Sequence, residues 1–251
     1  MTDLKGQIAI LTGATGGIGT RFAQVLGAHG AAVALAGRRL DRLGALEAGL
    51  SASGVTCATF VHDATDLASS DRLVAAVHER LGAPTILVNN AGVSLAARAQ
   101  DHTPEEFDET MAVNLRAPWR LSQLCAQRWI AAKSGGIIVN IASMLASRVG
   151  PGVSLYCMSK AALAHMTACH ALEWSRHGIR VNALCPGYIR TGINDAYWET
   201  DRGRAEMARL PRRRVGEPQD LDSALLYLCD PGNRFLNGAS ITVDDAQSWA
   251  I

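Results

Sequence analysis

Apolar residues fall along this chain in short dense runs, separated by longer stretches in which polar and apolar positions recur at helical spacing. The dense runs are residues 7–12, 32–36, 56–62, 85–89, 136–141, 179–184 and 240–243. Near-continuous apolar character over so few residues predicts strands covered on both faces. The segments between them have helix length, for example 66–81 and 104–132. The second opens Thr103-Pro104-Glu105-Glu106, which supplies an N-cap, a proline in the first turn and acids for the helix dipole. Repeated strand–helix alternation predicts an α/β fold, a doubly wound parallel sheet of about seven strands flanked by helices. No linker, repeat or low-complexity stretch divides the chain, so residues 1–251 read as a single domain.

Charge and composition narrow the classes. Lys+Arg at 24 against Asp+Glu at 23 gives no electrostatic case for nucleic acid or an anionic membrane as partner. No apolar run reaches the roughly 18 residues of a transmembrane helix, and residues 1–7 are too polar for a signal peptide. The six cysteines (Cys57, Cys125, Cys157, Cys169, Cys185, Cys229) are scattered without a CxxC or a His/Cys cluster, so no metal is expected. They read as reduced core thiols of a cytoplasmic protein. His165, His170 and His177 have no acidic or cysteine partner at useful spacing and read as ordinary helix residues.

Two places carry chemistry. "ILTGATGGIG" runs from the first strand into a helix starting near Gly17. Glycines at 13, 17 and 19 allow a tight turn and a close backbone approach, and free N–H groups at the helix start face an anion. After the first strand of an α/β sheet this predicts a dinucleotide pyrophosphate site formed by Gly13, Thr15, Gly17, Ile18 and Gly19. The second strand ends "VALAGRRLDRL", facing the adenosine 2′ position. No acid stands between Ala31 and Leu40, so nothing there suits a 2′-hydroxyl; Arg38 and Arg39 suit a 2′-phosphate, with Arg38 expected to take the larger share. NADP(H) is the expected cofactor, with NAD(H) the weaker alternative. The second place is "LYCMSKAAL", which sets Tyr156 and Lys160 one helical turn apart.

These stretches resemble the short-chain dehydrogenase/reductase family, in its compact branch. The resemblance spans nearly the whole chain: "TGATGGIG" at 12–19, "NNAG" at 89–92, Asn114 in "MAVNL", Ser143 in "NIAS", Tyr156, Lys160, "RVNALCPG" at 180–187 and "RRVGEP" at 213–218. It implies a Rossmann-type fold and a ketone or secondary-alcohol oxidoreductase in which Asn114, Ser143, Tyr156 and Lys160 are catalytic. Tyr156 is then the general acid or base, and Lys160 at about 6 Å would favour its phenolate by roughly 3 kcal/mol, or about two pKa units. Ser143 would hold the substrate oxygen, Lys160 the nicotinamide ribose, and Asn114 a water linking Lys160 to solvent. The resemblance also implies cofactor contacts at Asp63, Ala64, Asn90, Ala91, Gly92, Pro186, Gly187, Ile189 and Thr191.

Residues 188–212 form the expected substrate loop, with Ile193, Tyr197, Trp198 and Met207; together with Met144, Leu145 and Val153 they suggest a hydrophobic small to medium substrate. Arg209, Arg212, Arg213 and Arg214 leave open a 3-oxoacyl-carrier-protein or acyl-CoA reductase gripping a phosphate, or simply a solvated basic turn. A non-catalytic nucleotide-sensing protein is the alternative of another class, opposed by the complete set of four residues. The resemblance implies a homotetramer or homodimer through 104–132 and 155–176, and Ala161, Ala162, Ala164, Ala168 and Ala171 suit close helix contact. The family's Val-Asp-Gly-Gly ending is here Val243-Asp244-Asp245-Ala246, so the tail is expected to take a different path.

Overall fold

The computed structural model describes residues 2–192 and 194–250. Seven strands, β1 (Ile8–Thr12), β2 (Ala32–Gly37), β3 (Cys57–Val61), β4 (Ile86–Asn89), β5 (Gly136–Ile141), β6 (Ile179–Pro186) and β7 (Ser240–Val243), form one parallel sheet in the order β3-β2-β1-β4-β5-β6-β7. Each expected strand is present, with bounds shifted by two residues at most. The order reverses between β1 and β4, which opens a crevice at the carboxyl ends of the strands.

Both sheet faces are covered, as the dense apolar runs require. Alternate residues divide between two cores: Ala9, Leu11, Val33, Leu35, Val88 and Val139 enter one, while Ile10, Ala34, Leu87 and Ile138 enter the other. The first core is closed by α1 (Gly17–Ala28), α2 (Leu40–Ala52) and α9 (Asp222–Cys229). The second is closed by α3 (Leu67–Leu81), α5 (Ala117–Ala132) and α6 (Ser154–Trp174), with Trp129 donating from its indole to the Pro84 carbonyl at 2.6 Å.

The stretch 104–132 is not one regular helix. α4 (Pro104–Met111) starts on the expected Thr103 cap, completed by Glu106 as a capping box, then passes through a π turn, Ala112–Arg116, into α5. Pro118 explains the break: it has no N–H for the carbonyl of Asn114, and the Ala117 N–H reaches back to Ala112 instead. Beyond β6 the chain makes an excursion containing α7 (Asp195–Trp198) and α8 (Asp201–Met207). Ile193 lies outside the described residues.

The cysteine expectation holds for four residues and fails for one. Cys125, Cys157, Cys185 and Cys229 are buried and Cys57 is half-buried, but Cys169 faces outward on α6. No helix among the described residues is long and apolar enough to cross a membrane.

Candidate active site

The glycine-rich turn leaves α1 without a side-chain cap or an acid in its first turn. Its first N–H groups therefore lack an internal partner, which suits an anion. Gly13 lies at φ 64°, where a β-carbon would stand 2.9 Å from the Ala91 Cα, so β1 and β4 approach closely there. A β-carbon on Gly17 would meet the Thr191 side chain at 2.9 Å, which brings the segment after β6 over the start of α1. These features fit a dinucleotide.

The expected cofactor residues gather along this crevice, several of them already engaged. Asn90 donates from its side chain to the carbonyls of Thr12 (2.9 Å) and Gly13 (3.2 Å), and the N–H groups of Asn90 and Ala91 both donate to the Thr12 hydroxyl. Asp63 accepts from the Thr65 N–H and hydroxyl, and these bonds hold its carboxyl below the usual range. Ala64 packs beside Val113 and Ala117. The Arg39 guanidinium donates to the carbonyl and hydroxyl of Thr15, at 3.2 and 3.0 Å, directly on the glycine-rich turn. Arg38 lies close enough to Asp63 to help lower its pKa.

Ser143 and Lys160 meet around Tyr156 where β5 and α6 converge. Tyr156 stands in the first turn of α6, and Lys160 Nζ is 5.6 Å from the Tyr156 ring centroid. Lys160 is only 3% exposed and donates to the Ile141 carbonyl at 2.7 Å. The Ser143 hydroxyl lies close enough to the Tyr156 phenol to lower its pKa, and it accepts from the Leu145 N–H at 3.1 Å. Asn114, fully buried in the π turn, donates to the Val93 carbonyl and the Ser159 hydroxyl and accepts from the Val93 N–H. Lys160 Nζ and Asn114 Oδ1 each lie 3.4 Å from where a β-carbon on Gly92 would stand, so all three residues share one corner.

Burial sets the titration here. It pushes Tyr156 above its ordinary value, against the smaller effect of the nearby Ser143 hydroxyl, and brings Lys160 down to about 8. The expected lowering of Tyr156 by Lys160 is not found: burial raises the phenol, and the group that lowers it is Ser143. Lys160 remains a cation at neutral pH.

The substrate-side residues are more divided than expected. Trp198 is 2% exposed and packs with Leu210 and Val215 in the excursion's own core. Val153, Tyr156 and Tyr188 pack on Met144, Leu145 and Cys157. The arginine run is partly neutralised: Arg212 and Arg214 pair with Asp245, and Arg214 also with Asp220. Asp245 and Ala246 lie at φ 52° and 65°, so this turn takes a left-handed path at two residues that are not glycine.

Sequence reasoning passed over the residues that brace the site. Gln247 is 2% exposed and accepts from the Tyr188 N–H at 2.7 Å. Asn194 accepts from the Thr191 N–H (2.8 Å) and donates to the Ile189 carbonyl (2.9 Å). Asn89 donates to Asn140, and Asn140 donates to Thr167, making a buried polar ladder from β4 to α6. An asparagine inside the apolar runs of both β4 and β5 was the available signal.

The sheet order, the glycine-rich turn and the Ser143/Tyr156/Lys160 group define the class, an α/β oxidoreductase with a dinucleotide crevice. The family described as "Enoyl-(Acyl carrier protein) reductase" matches residues 13–245. Over 243 residues the chain is 33% identical to gluconate 5-dehydrogenase of Gluconobacter oxydans (strain 621H), covering 96% of this chain and 94% of that protein. It is 32% identical over 241 residues to D-threitol dehydrogenase of Mycolicibacterium smegmatis (strain ATCC 700084 / mc(2)155), covering 96% and 92%. The crystal structure of a gluconate 5-dehydrogenase from Burkholderia cenocepacia J2315, in complex with NADP and tartrate, superposes with a TM-score of 0.93 at 30% identity, covering 99% of this chain and 98% of that one. The chain belongs to the short-chain dehydrogenase/reductase family.

Proposed function

We propose that this protein is an NADP(H)-dependent oxidoreductase that interconverts a ketone and a secondary alcohol, with Tyr156 as general acid and base. The observation that carries this reading is the Ser143 hydroxyl beside the Tyr156 phenol, with the Lys160 cation buried one helical turn away. In reduction the Tyr156 O–H gives its proton to the carbonyl oxygen; in oxidation the phenolate takes one from the alcohol. Ser143, already accepting from Leu145, has its own hydrogen free to hold the substrate oxygen. Lys160 spends one N–H on Ile141 and keeps two for the nicotinamide ribose hydroxyls. Asn114, sharing the Gly92 corner with Lys160, supports a water that returns protons from solvent. The nicotinamide, when bound, supplies or accepts the hydride. Arg38 and Arg39 hold the 2′-phosphate, while Ile189 and Thr191, fixed by Asn194, hold the carboxamide.

The substrate is a small to medium molecule whose carbon skeleton lies against Val153 and Tyr188, which pack over the buried Met144 and Leu145. The alternative of a 3-oxoacyl-carrier-protein or acyl-CoA reductase agrees with the wording of the matched family. It has less support from the arginine run, since Arg212 and Arg214 are ion-paired within the chain. A sensor would have no use for the Tyr156 group. Six unpaired cysteines suit the cytoplasm. Self-association as a homotetramer or homodimer would cover the outer faces of α4, α5 and α6.

NADPH oxidation, followed by absorbance against ketones, ketoses and acetoacetyl thioesters, tests the assignment. Turnover of ketones or ketoses without thioester activity is expected. Thioester turnover alone would favour the alternative, and inertness toward every carbonyl would overturn the catalytic reading.

A further inference from the structure

Tyr188 stands between the candidate proton donor and the excursion. It packs with Val153 and Tyr156 on Met144, Leu145 and Cys157, and on its other side against Trp198, whose ring it meets edge-on at 5.3 Å. Glu206, on α8, accepts from the Tyr197 hydroxyl and lies close enough to Tyr188 to raise its pKa. Burial and this carboxylate push Tyr188 above its ordinary value, and the hydrogen bond to Glu206 does the same for Tyr197, so both phenols stay O–H donors. A carboxylate thus sits one phenol away from Tyr156.

Several arginines of this region pair with other acids. Arg190 pairs with Asp195, Glu199 and Glu217, and Arg212 and Arg214 pair with Asp245. Arg202, one turn before Glu206 on α8, lies close enough to Tyr197 to lower its pKa and is the cation at the edge of the carboxylate. On the Ser143 side, the Arg148 guanidinium stacks 4.5 Å from the Trp249 ring centroid, with its buried Nε unpartnered. No salt bridge to Glu206 forms among the described residues.

We propose that Tyr188 and Glu206 are the specificity-determining end of the substrate site, admitting neutral polyhydroxylated ketones and alcohols and disfavouring carboxylate-bearing ones. The proposal rests on the reading of Tyr156 as proton donor. A substrate hydroxyl can accept from the Tyr188 phenol or donate to the Glu206 carboxylate. A substrate carboxylate only accepts, and it places a second negative charge beside the first. One such screened contact is worth about tenfold or more in relative affinity. The two curated relatives act, by their names, on an acid and on a neutral polyol. Glu206 places this chain with the second.

The test compares kcat/KM with NADPH for a neutral ketohexose and for a keto-hexonate of equal carbon number, in the wild type, Glu206→Gln and Tyr188→Phe. Calorimetry of sorbitol and gluconate binding to the oxidised-cofactor complex gives a readout independent of turnover. The wild type is expected to favour the neutral partner at least tenfold in both measurements. Glu206→Gln should narrow that ratio about fivefold or more, and Tyr188→Phe should narrow it by weakening the neutral ligand. An equal or reversed wild-type preference, or an unchanged ratio in both variants, overturns the proposal; a reversed one would assign the Arg148 Nε to a carboxylate. If only simple ketones turn over, this proposal fails and the Tyr156 reading stands. If no carbonyl compound turns over, both fail.

Discussion

Lys160 is held almost out of water with a carbonyl and a phenol ring as neighbours, an arrangement that serves chemistry better than folding. Its pKa of about 8 lies below its ordinary 10.5, so the unfolded chain binds more protons at this position between those values. The fold therefore gains stability as pH rises from about 8 to about 10.5, and below 8 it carries the full cost of a buried cation. That cost is on the order of 3 kcal/mol at neutral pH. Lys160→Met, which keeps the volume and removes the charge, should be at least as stable as the wild type in urea denaturation at pH 7. Its stability should also lose the rise at alkaline pH, while turnover and cofactor affinity collapse. A markedly less stable Lys160→Met would show that the bond to Ile141 outweighs desolvation.

On the proposed reading, the turn between β2 and α2 decides cofactor choice. Gly37 leaves room, and a β-carbon there would meet nothing closer than 3.8 Å. Arg39, anchored on Thr15, stands nearest the glycine-rich turn, although the sequence pointed to Arg38 for the larger share. With each charge-assisted bond worth about 1.5–3 kcal/mol, kcat/KM should favour NADPH over NADH by roughly tenfold to hundredfold. Arg38→Ala and Arg39→Ala should each narrow that gap; a wild-type preference for NADH would place both side chains in solvent. Elements of this kind were legible because their signals are local. Dense apolar runs marked β1 to β7, and Thr103-Pro104-Glu105-Glu106 marked the start of α4. The π turn was not anticipated, although Pro118 encoded it by removing the N–H that Asn114 would have bonded. Gln247, Asn194 and Glu206 escaped because their partners lie in other segments or in loop geometry, which no periodicity reports.

At the scale of the molecule, the outer face of α4, α5 and α6 is the apolar surface that a second copy would cover. Phe107, Trp119, Met158 and Leu172 are exposed there, and Met111, Leu115, Arg116, Trp119 and Met166 line a shallow hollow. Along α6 the outward positions include Ala161, His165, Ala168 and Leu172, so small residues allow close approach between larger ones. Sedimentation at micromolar concentration should show a dimer or tetramer, and Ala168→Glu should shift it toward smaller species. A wild-type monomer would contradict the assembly.

The role of Tyr156 is the centre of this account, and Tyr156→Phe tests it most directly because the ring and its packing survive while the proton is lost. Steady-state turnover with NADPH and the best substrate should fall by roughly 10²–10⁴-fold, while the dissociation constant for NADPH changes little. Near-wild-type turnover in Tyr156→Phe, with NADPH still bound, would contradict it.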